Sequence, residues 1–142
     1  MIIGLDIHGV IDTDPKFFAK LTKCLRLNHH EVYIITGVEH NARLDKELIR
    51  FGVQFDSIFS ITSYHKDLGT PIEYKKGDLT QPMIDDKLWD MTKAQYCDKW
   101  GVDIHIDDLS IYGKYFNTIS TQYMLYNDVV KEWLNFLTTG VK

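Results

Sequence analysis

Five short apolar runs punctuate the chain, at residues 1–7 (MIIGLDI), 31–35 (EVYII), 56–62, 102–106 (VDIHI) and 118–125. Each is too short for a helix, so each reads as a strand. Amphipathic stretches separate them. Asp14-Pro15 opens the first helix, with Asp14 as N-cap and Pro15 at the first helical position. Phe17, Phe18, Leu21 and Leu25 then recur at helical spacing. Residues 41–50 form a second helix stopped by Gly52, residues 93–100 a third stopped by Gly101, and residues 127–138 a closing helix capped by Asn127. Residues 64–92 carry Gly69, Pro71, Gly77 and Pro82 among many charges, and read as a long connection or a small inserted hairpin. Strands that alternate with helical crossovers imply an α/β fold. The expected architecture is an open, doubly wound parallel sheet of about five strands, Rossmann-like, with a small irregular insert.

A chain of 142 residues suits one domain spanning 1–142, with 64–92 as a possible insert or lid. A net charge of −4 argues against a non-specific nucleic-acid binder. It leaves room for a small phosphorylated ligand, because a local metal or Lys overrides global charge. No apolar run approaches the roughly 18 residues a membrane helix needs, so no membrane partner is expected. The first residues carry no basic segment ahead of an apolar stretch, so no signal peptide is read there. Cys24 and Cys97 are too few for a disulfide scaffold and read as reduced thiols of a cytoplasmic, intracellular protein. Oligomeric state is not readable.

In open parallel sheets, ligands bind beyond the carboxyl ends of the strands, where the strand order reverses. Asp6-Ile7-His8-Gly9-Val10 follows the first strand, Thr36-Gly37 the second and Asp107-Asp108 the fourth. Three clustered carboxylates repel unless a cation lies between them. Oxygen-only ligands favour a hard ion, and Mg²⁺ is the usual choice beside phosphate. A nearby Lys would complete a phosphate site.

The order of these motifs resembles the haloacid dehalogenase-like (HAD) superfamily over essentially the whole chain. The first family motif, D-x-D-G-[TV], aligns with Asp6-Ile7-His8-Gly9-Val10, the second with Thr36, the third with Lys93 and the fourth with Asp107-Asp108. The resemblance implies Mg²⁺-dependent hydrolysis of a phosphate monoester through an aspartyl-phosphate on Asp6. It implies metal ligation by Asp6, the His8 main-chain carbonyl and Asp108, with Asp107 supporting the metal site from beside it. Thr36 and Gly37 would bind phosphate oxygens, and Lys93 would neutralise Asp6 and the transferring group. His8 stands where the family's phosphatases carry an acid/base Asp. An imidazole can take that role; alternatively the chain is a catalytically impaired module that binds phosphate or another ligand, or regulates. Only the short span from Asp12 to Glu31 separates the first motif from the second strand, leaving no room for a helical cap there. An open site suits a large phosphorylated substrate, a nucleotide or a nucleic-acid end being one candidate.

Other readings compete at several positions. Lys87 and Lys99 compete with Lys93. His105 shares a strand face with Asp103 and Asp107; it either lines an open part of the cleft or, the preferred reading, is a surface residue under loose cover, and His29, His30, His40 and His65 also read as surface residues. Tyr112, Tyr115, Phe116, Tyr123 and Tyr126 could stack a base, but read mostly as core or edge packing. No zinc spacing and no phosphate-cradling G-x-x-x-x-G-K-[ST] or G-x-G-x-x-G occurs. A receiver-type switch expects its acidic pair after the first strand and its phosphoacceptor after the third; here the pair follows the fourth and the third ends in Ile61-Thr62-Ser63, so that reading is set aside.

Overall fold

The structure, a computed structural model, describes residues 1–75 and 78–139. Strands β1 (Ile2–Leu5), β2 (Glu31–Thr36), β3 (Ser57–Ser60), β6 (Ile104–Asp107) and β7 (Gln122–Leu125) form one parallel sheet. Two short strands, β4 (Glu73–Lys75) and β5 (Asp78–Met83), pair antiparallel as a separate hairpin. The large sheet runs in the order β3-β2-β1-β6-β7. The chain leaves β1 towards β2 on one side and later returns beside β1 with β6. The switch in strand order therefore falls between β1 and β6, which places Asp6 next to Asp107.

Among the described residues six α-helices flank the sheet: α1 (Pro15–Leu27), α2 (Ala42–Phe51), α3 (Ile61–Leu68), α4 (Asp86–Trp100), the single turn α5 (Ser110–Gly113) and α6 (Asp128–Thr139). On one face, Phe18 and Leu21 of α1, Leu44 and Leu48 of α2 and Leu134 of α6 pack on Leu5, Val32, Ile34 and Ile106. On the other, Ala94 and Cys97 of α4 join Tyr112, Phe116 and Ile35. Leu5, Phe18, Val32 and Ile34 are fully buried, and each such side chain stabilises the fold by about 1.5–3 kcal/mol. The expected caps form: Asp14 Oδ1 accepts from Phe17 N at 3.2 Å and Asn127 Oδ1 from Val130 N at 3.0 Å. Both cysteines are free thiols. No helix among the described residues is long and apolar enough to cross a membrane.

The α/β expectation holds, and several boundaries move. β1 ends at Leu5, so Asp6 is the first residue beyond it, tied back by its N–H to Ile106 O at 3.1 Å. The third strand stops at Ser60 instead of running to 62, because Ser60 Oγ caps α3 by accepting from Ser63 N at 3.1 Å. Capping overrides the β-propensity of Ile61-Thr62. The helix expected over 93–100 starts at Asp86, where Asp85 Oδ1 accepts from Leu88 N at 2.9 Å. Lys93 is thus in the middle of α4, not at its start. The fifth strand begins at Gln122 and not at 118, after a 3-10 turn at Lys114–Phe116. The 64–92 stretch resolves into the end of α3, the β4–β5 hairpin and the first half of α4. Gly77, counted there as a loop former, lies outside the described residues.

Candidate functional site

At the carboxyl ends of β1, β2 and β6 lies a cavity of about 540 Å³. Asp6, His8, Gly9, Thr36, Gly37, Lys93 and Asp108 line it, with Pro82 of the hairpin and Trp89 and Tyr112 completing its walls. Asp107 lies beneath it, fully buried. Fold and turn chemistry thus bring together all the residues expected from the sequence, Asp107 as floor rather than wall. Lys87 and Lys99, the competitors of Lys93, are absent from the lining.

Lys93 is 1% exposed. Its Nζ donates to Asp107 Oδ2 at 2.6 Å and stands 3.2 Å from Asp6 Oδ1. It also lies 4.9 Å from the centre of the Tyr112 ring, whose hydroxyl accepts from Trp89 Nε1 at 3.1 Å. Burial disfavours the ammonium, but Asp6 and Asp107 outweigh it and hold Lys93 charged, above the usual lysine range. Burial works against Asp107 as well. Hydrogen bonds from His105 and Lys93 prevail there and hold its carboxyl well below the usual carboxylate range. Asp6 is the weaker partner of Lys93. Burial, reinforced by the charge of Asp107 and only partly opposed by Lys93, pushes it up to about 7. Burial and Asp107 also raise Asp108.

Oxygens of Asp6, Asp107 and Asp108 all lie within 4.8 Å of one another. Three carboxylates facing one ammonium leave an excess of negative charge, and every donor is a hard oxygen. That donor set fits a hard divalent cation such as Mg²⁺ and lacks the sulfur and imidazole ligands typical of zinc. Gly9 shapes this wall. Its φ of +86° is a left-handed conformation, and a Cβ there would stand 2.0 Å from Asp108 Oδ2. Asp108 therefore lies flat against the loop that follows β1.

The opposite wall is the Thr36–Val38 loop. Thr36 is fully buried, and its Oγ1 accepts from Val38 N at 3.3 Å. The first turn of α3 braces the loop: Thr62 Oγ1 donates to Gly37 O and Ser60 Oγ to Val38 O, both at 2.6 Å. His8 stands at the mouth, half-exposed, with Nε2 3.3 Å from Glu47 Oε1 of α2. It also lines a neighbouring cavity of about 390 Å³ between α2 and the hairpin, with Arg43, Glu47 and Tyr74.

Two histidines overturn the surface reading. His65 is buried, its Nε2 2.8 Å from Thr92 Oγ1 and its Nδ1 3.0 Å from Thr70 Oγ1, so it joins α3 to α4. Burial pushes its imidazole below the ordinary value. His105 is 0% exposed, with Nε2 2.9 Å from Asp107 Oδ2. The two-residue spacing puts His105 and Asp107 on one face of a central strand, as the sequence indicates, but that face is closed over, so His105 belongs to the floor of the site and not to the surface. Trp89, which no sequence motif singles out, and Tyr112, one of the aromatics read as mostly packing, both wall the site, and Tyr112 is core as well.

No family model matches the chain, and no curated protein matches it. Among solved structures, the crystal structure of an uncharacterized protein from Corynebacterium glutamicum superimposes with a TM-score of 0.60 at 14% identity, over 99% of this chain and 96% of that one. At that identity the likeness concerns the fold: the chain is similar to that protein in its α/β architecture along nearly its whole length.

Proposed function

We propose that the chain is an Mg²⁺-dependent, phosphatase-like hydrolase of the haloacid dehalogenase type that acts on phosphate monoesters in the cytoplasm. The observation that carries the reading is the position of Asp6. Its carboxylate borders the open cavity, 3.2 Å from Lys93 Nζ and within 4.8 Å of the Asp107 and Asp108 oxygens. Asp6, Asp108 and the His8 main chain would hold the ion, which supplies charge screening between nucleophile and phosphate. Asp6 attacks phosphorus, the ester P–O bond breaks, and the leaving oxygen takes a proton from His8. Water then attacks the phosphorus of the aspartyl-phosphate and gives its proton to His8, the P–O bond to Asp6 breaks, and inorganic phosphate leaves with Asp6 regenerated as a carboxylate. Lys93 neutralises Asp6 and the transferring group, while Thr36 and the Gly37 amide orient phosphate oxygens. The cavity beside His8 leaves room for a sizeable leaving group, a nucleotide or nucleic-acid end among the candidates.

The second reading is a module of the same fold that binds phosphate without turnover. It is favoured by the engagement of the His8 imidazole with Glu47. Incubation with an aryl phosphate, with and without Mg²⁺, tests the first reading: hydrolysis should require the metal and vanish in Asp6→Asn. His8→Asp separates the two. A gain of about 10²–10⁴-fold supports the hydrolase, and no gain supports the binding module.

A further inference from the structure

The floor of the site contains a group that neither reading uses. His105 is enclosed completely, between Phe116 (ring centroids 5.8 Å apart, planes at 14°) and Tyr123 (6.0 Å). Gly4 on the neighbouring strand makes the space: a Cβ there would stand 3.0 Å from Nδ1 and 2.6 Å from Ile35 Cδ1. Nothing apolar in this slot calls for an imidazole, since a phenyl ring stacks on Phe116 as well. The imidazole carries a cost, because Nδ1 is buried against the Gly4 backbone without a hydrogen bond of ordinary geometry, and a poorly paired buried polar atom destabilises a fold. Only Nε2 is used, 2.9 Å from Asp107 Oδ2. An ionised carboxylate has no proton to offer, so Nε2 carries the hydrogen and Asp107 accepts it.

We propose that His105 is a positioning residue for the metal and phosphate site. Its Nε2–H pins Asp107 by the oxygen that also receives Lys93 at 2.6 Å, leaving Oδ1, whose contact is Leu109 N at 3.4 Å, as the freer oxygen. Two donors on one oxygen fix the rotation of the carboxylate, and with it the place of Lys93 between Asp107 and Asp6. Groups of this kind, one step behind the ligands, typically govern affinity for the ligand. The inference rests on the phosphatase reading in one respect: it takes Mg²⁺ and phosphate as what the site receives.

The test compares His105→Phe, His105→Gln and His105→Asn in binding of Mg²⁺ and of inorganic phosphate, measured by calorimetry on the intact chain. Gln can place an amide N–H where Nε2 lies, whereas Asn can reach only the Nδ1 position and Phe supplies no donor. Phe and Asn should weaken binding by about 10–100-fold, and Gln should restore most of it. In wild type, nitrogen-proton correlation of the imidazole should show the Nε2–H tautomer. A Phe variant that binds as wild type does, a Gln variant no better than Asn, or an Nδ1–H tautomer each overturns the proposal and leaves the phosphatase reading standing. A wild type that binds neither probe overturns both.

Discussion

The floor of the cavity and its mouth carry the same kinds of groups in opposite surroundings. On the floor, Lys93, Asp107 and His105 share one oxygen with essentially no exposure to water. At the mouth, His8 and Glu47 form a looser pair, 3.3 Å apart and open to solvent. Charges in the first setting are strong and unforgiving, because removing one leaves its partner unpaired in a medium that cannot hydrate it. Those in the second are screened and replaceable. Substitutions on the floor should therefore register first as stability, and those at the mouth as turnover alone.

The largest effect is expected from Lys93→Met. It keeps the methylene packing against Tyr112 but strands Asp6 and Asp107 beside each other. Loss of one partner from a buried pair costs about 3–5 kcal/mol, measurable by urea unfolding. Adding Asp6→Asn should recover part of the loss, since the second change removes one of the two stranded charges. If Lys93→Met unfolds at the wild-type urea midpoint, the floor is not the tight network described.

Mg²⁺ provides the next test. At 100 times its dissociation constant it should stabilise wild type by about 2.7 kcal/mol. Asp108→Ala should abolish that gain while staying folded, and should match or exceed wild type without metal because carboxylate repulsion is relieved. An Asp108→Ala protein whose melting temperature still rises with Mg²⁺ as wild type's does would remove Asp108 from the ligand set.

A smaller, pH-dependent effect should come from His65, which braces α4 one residue from Lys93 through Thr92. Its folded value lies below the ordinary 6.5 because of burial. Below pH 6.5 the unfolded chain therefore takes up a proton that the folded chain refuses. Stability is complete above that pH and falls as the solution is acidified towards the folded value. His65→Gln keeps a polar contact for Thr92 without titrating, so the difference between the two proteins should shrink or reverse on acidification from pH 7 to 5. Parallel stability profiles over that range would contradict the burial of His65.

These contrasts also explain what the sequence could and could not reveal. Asp6, Thr36 and Asp107-Asp108 were legible because each ends an apolar strand, where a parallel sheet exposes its loops. The start of α4 was not. Its inward positions include Trp89, Thr92 and Lys93, which serve the site and break the apolar stripe by which a helix is recognised. α3 was hidden by β-branched Ile61-Thr62, although the Ser60 cap and Thr62 hydroxyl hold the Thr36–Val38 loop in place. The face that His105 shares with Asp107 was legible, but its burial was not, because the cover comes from Phe116 and Tyr123 further along the chain. The functional side chains make local patterns weakest beside the site.

At the mouth the comparison turns on His8. A solvent-exposed polar contact such as His8–Glu47 contributes little even when charged, about 0–1 kcal/mol, so His8→Ala should leave stability within about 0.5 kcal/mol of wild type. Turnover should respond quite differently. Expulsion of an alkoxide needs a proton donor, and hydrolysis of the aspartyl-phosphate needs an acceptor; a methyl group is neither. His8→Ala should therefore lose hydrolysis of alkyl phosphates. With activated aryl esters, whose leaving groups need no acid, it should instead give a burst and then stall as phosphoenzyme. Glu47→Gln keeps the imidazole and removes only its carboxylate neighbour, so its loss should be smaller than that of His8→Ala and similar for alkyl and aryl esters. Equal turnover of alkyl phosphates by His8→Ala and wild type would show that the side chain moves no proton. The mouth would then act in binding alone, and only the floor would remain as a candidate for the chemistry.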